Sequence, residues 1–212
     1  MSDVEASLTL GAIFYDGFEL LDVYGPLEMF ACVGPQLSVV SVAERAGPVS
    51  PLKGPATLAE YGFDDCPDLD LILLPGGLGS RVEVENEKLL DFLRERAPAA
   101  RITMSVCTGS ALLAKAGLLD GLRATSNKLF FDFAVQQSDR VEWVEAARWV
   151  DAGALVTSSG VSAGMDMALA VIERLFSKEL AERIAELTEY ERHTDASRDP
   201  FVRCLNAALP KG

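Results

Sequence analysis

Between Arg101 and Leu119 the chain reads RITMSVCTGSALLAKAGLL: an apolar run meets Cys107 and turns at once into a helical pattern. A thiol at such a junction suits nucleophilic chemistry, because the thiolate is the reactive species and the unpaired amides of a helix start favour negative charge. A tight strand-to-helix turn leaves little room two residues to either side of its centre. Ser105 and Gly109 are small residues at those two positions, giving small-x-nucleophile-x-small. Free cysteine is more often a small buried hydrophobe, and the other three are read that way. Cys32 ends a helical pattern, Cys66 lies in the loop DDCPDLD, and Cys204 is in the C-terminal tail.

A nucleophile needs a proton donor or acceptor beside it. The sole histidine, His193, lies in the polar stretch YERHTDASRD and reads as a solvated group, which argues against a Cys-His dyad. Asp22, in FELLDVYGPLEMF, is the better partner: a carboxylate among apolar neighbours just past the first strand, at the sheet edge where Cys107 also falls. Partial desolvation beside a thiolate raises a carboxyl pKa, as a group supplying a proton near neutral pH requires. Aspartate also caps helices, and one side chain can do both. Glu28, on the same helix, reads as a solvated or ion-paired face. Gly76 and Gly77, in PGG, allow a backbone bend that aims amides at a substrate; with the amide of Thr108 they are expected to form an anion-stabilising pocket.

The elements that must position these groups alternate. TLGAIFYD (9–16) and LSVVSVA (37–43) read as strands with a helix between them. DLILLP (70–75) is a near-continuous apolar run of the kind buried on both faces of a parallel sheet, and the helix NEKLLDFLRERA follows. ITMSV is a strand leading into the helix GSALLAKAG, with Gly117 as its stop. VEWVEAARWVDAGALVTSSG reads as two short strands joined at Asp151-Ala152-Gly153. AGMDMALAVIERLF and ELAERIAELTEYE read as consecutive helices. The fold class expected is α/β: a doubly wound, mostly parallel sheet sandwiched by helices, with ligands beyond the carboxyl ends of the strands. A single domain over 1–212 is expected, its core at about 9–190 and a polar tail after it.

Composition narrows the function. Of 212 residues, 49% are hydrophobic and 24% charged, enough for a sizeable core without metal or disulfide. The net charge of −13, with no basic cluster, argues against nucleic acid as a partner. The acidic start MSDVEASLTL lacks signal-peptide features and no apolar run spans a bilayer, so no membrane association and a cytoplasmic location are expected. Four cysteines without a C-x-x-C pair, and one histidine, give little material for a metal site.

Taken together, LLDVYGPLEMF, DLILLPGG, SVCTGSALLAKAGLLDGLRATS and TSSGVSAGMDMAL resemble the ThiJ/PfpI superfamily in order and spacing from about Thr9 to Tyr190, most closely its isocyanide hydratase branch. The resemblance implies a flavodoxin-like domain, usually a homodimer, with Cys107 as nucleophile at a strained elbow and Asp22 as its acidic partner. Thr108 and the Gly76-Gly77 region would surround the substrate, and Ser159, Gly160 and Val161 would form a loop beside the cysteine. It further implies hydration of a small isocyanide to an N-substituted formamide through a Cys107 thioimidate, without a cofactor, with Val23, Tyr24, Phe130 and Val161 as pocket lining. Three departures stand out. Thr108 replaces the histidine that follows the cysteine in peptidase and chaperone branches, which disfavours proteolysis. Asn127-Lys128 stands where many relatives near this branch carry His-Trp, and serines replace glycines in TSSGV. The alternatives are a cofactor-independent glyoxalase, or a cysteine oxidation sensor without turnover.

Overall fold

The structure, a computed structural model, describes residues 7–207. The chain opens with β1 (Leu8–Ile13), α1 (Leu20–Ala31) and β2 (Leu37–Val42), a strand-helix-strand unit whose two strands pair in parallel. A short antiparallel hairpin, β3 (Gly47–Val49) and β4 (Thr57–Ala59), follows. Then come β5 (Leu71–Leu74), a single turn α2 (Ser80–Glu83), α3 (Glu87–Arg96), β6 (Ile102–Val106) and α4 (Gly109–Lys115). Every residue of β5 and β6 is buried, which accounts for their unbroken apolar character: each has a strand on either side and helices over both faces.

The second half runs through β7 (Arg123–Ala124), α5 (Phe131–Val135), β8 (Glu142–Trp143), β9 (Trp149–Asp151), β10 (Leu155–Ser158), α6 (Ala163–Leu175), α7 (Lys178–Leu187) and a 3-10 turn at Pro200–Cys204. The stretch expected to hold two strands holds three, because β8 leaves the main sheet and pairs with β7. The main sheet has the order β2-β1-β5-β6-β10-β9, parallel throughout except for β9 at its edge. This is the doubly wound, flavodoxin-like arrangement. The strand order reverses between β1 and β5, and a ligand crevice is expected beyond their carboxyl ends.

Residues after Tyr190, read from sequence as a polar tail, are tied to the body by buried charge. Asp166, on α6, accepts from Arg148 Nε at 2.6 Å, from the Tyr190 hydroxyl at 3.0 Å and from the His193 backbone N–H at 2.8 Å. Arg148 also donates its backbone N–H to Ala196, at 2.8 Å, and its guanidinium lies 3.9 Å from Asp199. Lys128 Nζ lies 3.8 Å from the same aspartate. All four charged side chains are buried. Among the described residues, no helix is long and apolar enough to cross a membrane.

Candidate active site

β6 ends at Val106, and the next residue, Cys107, has φ 58°, in the left-handed region that non-glycine residues rarely occupy. The turn can be that tight because its neighbours are small. A Cβ on Gly109 would lie 2.6 Å from the Leu74 carbonyl oxygen, and one on Gly76 would strike the backbone and hydroxyl of Thr108 and come within 2.9 Å of Cys107 Cβ. Ser105 is fully buried, and the Cys107 carbonyl accepts from the hydroxyls of Ser126, at 3.0 Å, and Ser110, at 3.2 Å. The thiol is therefore carried on a fixed, strained elbow above the sheet.

Asp22 meets it from α1. It is completely buried, in the first turn of the helix, whose N-cap position belongs to Glu19; its side chain makes no capping bond. The expected cap role is thus replaced by a tertiary one: Asp22 Oδ2 accepts from the backbone N–H of Gly76 at 2.9 Å, while Oδ1 has no hydrogen-bond partner among the described residues. Burial pushes the carboxyl well above the usual aspartate range, against the lowering pull of the Gly76 N–H and the neighbouring Cys107 thiol. Such a carboxyl retains a proton at pH values where a solvated aspartate has lost it.

The thiol is also raised, first by burial and then by the charge of Asp22, while the N–H of Thr108, Asn127 and the Thr108 hydroxyl pull it down. This corrects the expectation that a helix start would set a low pKa here. α4 begins beside the thiol, but loss of water and a carboxylate outweigh its amides. Tyr15, whose hydroxyl donates to the Pro75 carbonyl at 2.7 Å, is held well above its ordinary value by burial and by the nearby Asp22 and Cys107.

The glycine amides do something other than expected. The Gly76 N–H is taken by Asp22, and the Gly77 N–H donates to Thr108 Oγ1 at 3.1 Å. The two amides that were to bind a substrate anion instead aim the acid and fix the threonine, whose hydroxyl also accepts from Ser80 Oγ at 2.9 Å. Of the expected lining, Val161 borders a cavity of about 290 Å3, together with Leu21, Leu129 and Phe201, with Asn127 and Gly160 also on its wall. Those last two flank the thiol: Asn127 Nδ2 donates to it at 3.1 Å, and a Cβ on Gly160 would approach it to 3.2 Å. Val23 lies in the hydrophobic core, Tyr24 is exposed with its hydroxyl on Thr57, and Phe130 stacks under Arg81; none of the three lines this cavity. His193 and Glu28 are exposed, and Cys32 and Cys66 do not line this cavity, whereas Cys204 joins its wall. A larger groove of about 990 Å3 along α6 and α7 shares no residue with this site and is walled mainly by glutamate, arginine and lysine. Among the described residues, no three ligating side chains converge to hold a metal ion.

Asn127, noted in the sequence only as part of the Asn127-Lys128 departure, makes a contact with the thiol that reading the sequence missed. Twenty positions separate it from Cys107, and no local pattern marks it. Buried Lys128, its neighbour, donates to Thr125 Oγ1 and the Ala147 carbonyl, both at 2.8 Å, and burial draws its pKa down to about 8.

Known proteins resemble this chain to different extents. An isonitrile hydratase from Pseudomonas putida is 35% identical over 189 residues, 87% of this chain and 79% of that protein. The HTH-type transcriptional regulator GbdR of Pseudomonas aeruginosa is also 35% identical, over 155 residues, but these make up only 42% of the regulator. The crystal structure of a ThiJ/PfpI family protein from Pseudomonas syringae superposes with a TM-score of 0.80 at 29% identity, over 91% of this chain and 83% of that one. The DJ-1/PfpI family model matches residues 10–174, most of the sheet and both sides of the elbow, and the chain belongs to the DJ-1/PfpI family.

Proposed function

We propose that the protein is a cofactor-independent hydratase that converts an isocyanide, R–NC, and water into the formamide R–NH–CHO. The observation that carries this reading is the buried Asp22 carboxyl, held by the Gly76 N–H beside the Cys107 thiol, whose other neighbours Asn127 and Gly160 wall a largely apolar cavity, with the sole histidine exposed. The likeness to an isonitrile hydratase over most of both chains supports it.

In the reactive form the pair holds one proton, on Asp22, and one negative charge, on sulphur. The thiolate forms a C–S bond to the terminal isocyanide carbon, and Asp22 gives its proton to that carbon, leaving the thioimidate R–N=CH–S–Cys107. Asp22, now a carboxylate, takes a proton from water as the hydroxyl adds to the same carbon, and the proton of that hydroxyl then passes to the nitrogen, leaving an alkoxide. Breaking the C–S bond releases R–NH–CHO and returns the thiolate. Atoms and charge balance without oxidant or cofactor. An acid in direct reach of the reacting carbon is worth about 10^2- to 10^4-fold in rate. An uncharged, largely apolar substrate suits walls of leucine, valine and phenylalanine.

Incubating the purified protein with an aliphatic and an aromatic isocyanide should yield the matching formamides, read by mass spectrometry. Absence of formamide from both would sink the reading, and methylglyoxal consumption would favour a glyoxalase in its place. A cytoplasmic homodimer is the proposed working form. Leu21 and Tyr24 expose apolar surface on α1, as does Leu58 on β4, which touches α1 through the Tyr24–Thr57 contact. Light scattering should give twice the chain mass, and Tyr24→Glu should shift that toward the monomer; a wild-type monomer would rule the dimer out.

A further inference from the structure

We propose that Asn127 is a catalytic residue of this site, its side-chain amide donating to the Cys107 sulphur when the thiolate attacks and again when it departs. The amide nitrogen lies 3.1 Å from Sγ, and both residues are buried. Which end of the amide faces sulphur is fixed by chemistry. Its oxygen accepts the backbone N–H groups of Leu129, at 2.9 Å, and Phe130, at 3.2 Å. Only an oxygen can pair with two N–H donors, so the nitrogen must be the end that meets the thiol.

The loop that carries Asn127 is held on every side. The Thr125 N–H donates to Thr157 Oγ1 at 2.8 Å, Ser126 Oγ bonds the Cys107 carbonyl, and the buried Lys128 amine spans Thr125 and Ala147. Gly160 closes the other flank: a side chain there would strike Asn127 Nδ2 and crowd the sulphur. The donor therefore needs no rearrangement when charge appears on sulphur, which is the condition under which a fixed dipole stabilises a transition state most. An anionic sulphur accepts more strongly than a thiol, so the bond favours ionisation in proportion to the charge. A side-chain amide does not titrate near neutral pH, which leaves acid-base work to Asp22 and gives Asn127 a purely electrostatic part.

The inference rests on Cys107 as the nucleophile but is tested on the thiol itself. Asn127→Asp keeps an oxygen for Leu129 and Phe130, so the turn survives, and turns the atom facing sulphur from donor to acceptor. Asn127→Ala removes the donor without adding charge. Thiolate absorbance near 240 nm, taken as each protein minus its Cys107→Ala counterpart, gives the thiol midpoint. Both variants should move it upward, the aspartate by about one pH unit or more, and slow alkylation of Cys107 by iodoacetamide at pH 7.5 about tenfold. Isocyanide turnover should fall in kcat with KM little changed. Midpoints that stay at the wild-type value, a wild-type thiol that never ionises, or loss of fold in both variants would overturn the proposal. A shifted thiol in a protein that makes no formamide would leave Asn127 as the donor and remove only the hydratase reading; formamide with unmoved midpoints would do the reverse.

Discussion

Asparagine in place of Asp22 is expected to lower isocyanide turnover by about 10^2- to 10^4-fold, and alanine in place of Cys107 to abolish it to the background of the assay. The two losses have different causes, and the thiol separates them. In Asp22→Asn the nucleophile remains but loses a carboxyl whose ionised form raises it, so its midpoint should fall below the wild-type value. That direction is opposite to the one expected for Asn127→Asp. A protein in which Asp22→Asn turns over normally has another acid, and turnover surviving Cys107→Ala removes the thioimidate path altogether.

The same exchange tests what the buried acid does to stability. The folded pKa of Asp22 is raised, so the folded chain keeps a proton that the unfolded chain gives up near pH 4. The stability it confers is therefore complete below the unfolded value and is lost as pH rises through the folded one. Asp22→Asn has no such loss, and it should melt higher than wild type at pH 7 to 8 and no higher near pH 4. A site kept at the expense of stability is the expected signature of a functional carboxyl.

The largest loss of stability is expected from breaking the buried ion cluster. Asp166→Ala leaves Arg148 in the interior without its 2.6 Å partner and strips Tyr190 and the His193 N–H of their acceptor. Removing one member of a buried pair costs about 3–5 kcal/mol, because the other charge stays behind unpaired. For a chain of this size that corresponds to a fall in Tm of about 10 °C. The effect should also reach the site: Asp199 caps the 3-10 turn by accepting from the Phe201 N–H at 2.8 Å, and Phe201 is part of the cavity wall. Limited proteolysis should cut the variant between residues 190 and 205 faster than wild type. A replacement of Arg148 and Asp166 together by methionine and leucine should recover most of the melting temperature, because no lone charge is then buried. A Tm within a degree or two of wild type for Asp166→Ala would mean that the cluster is not what holds this segment.

Much of the fold is legible along the chain because it follows from local period. ITMSV is β6 without a residue's difference, and the runs 71–74 and 37–42 are strands as read, short and rich in valine, leucine and isoleucine, though only the first is buried throughout. The hairpin β3-β4, the short helices α2 and α5 and the pairing of β7 with β8 are not legible, since segments of two to five residues carry no period. Pro26 sits inside α1, where local rules would end a helix, and is accommodated with α1 packed on α6.

The site divides along the same line. The sequence by itself determined the small-x-Cys-x-small elbow at Cys107 and placed Asp22 at the same edge of the sheet, because both follow from where strands end and which residues a tight turn admits. Only the tertiary structure decided what those groups do to one another. Gly76 gives its amide to Asp22 across 54 positions and Asn127 gives its own to Cys107 across 20, and Arg148, Asp166 and Asp199 find each other inside the protein rather than in solvent. Each of these depends on which side chains lose water together. Burial raises both the acid and the thiol above their solution values, an effect set by packing between distant segments and not by the order of residues in any one of them.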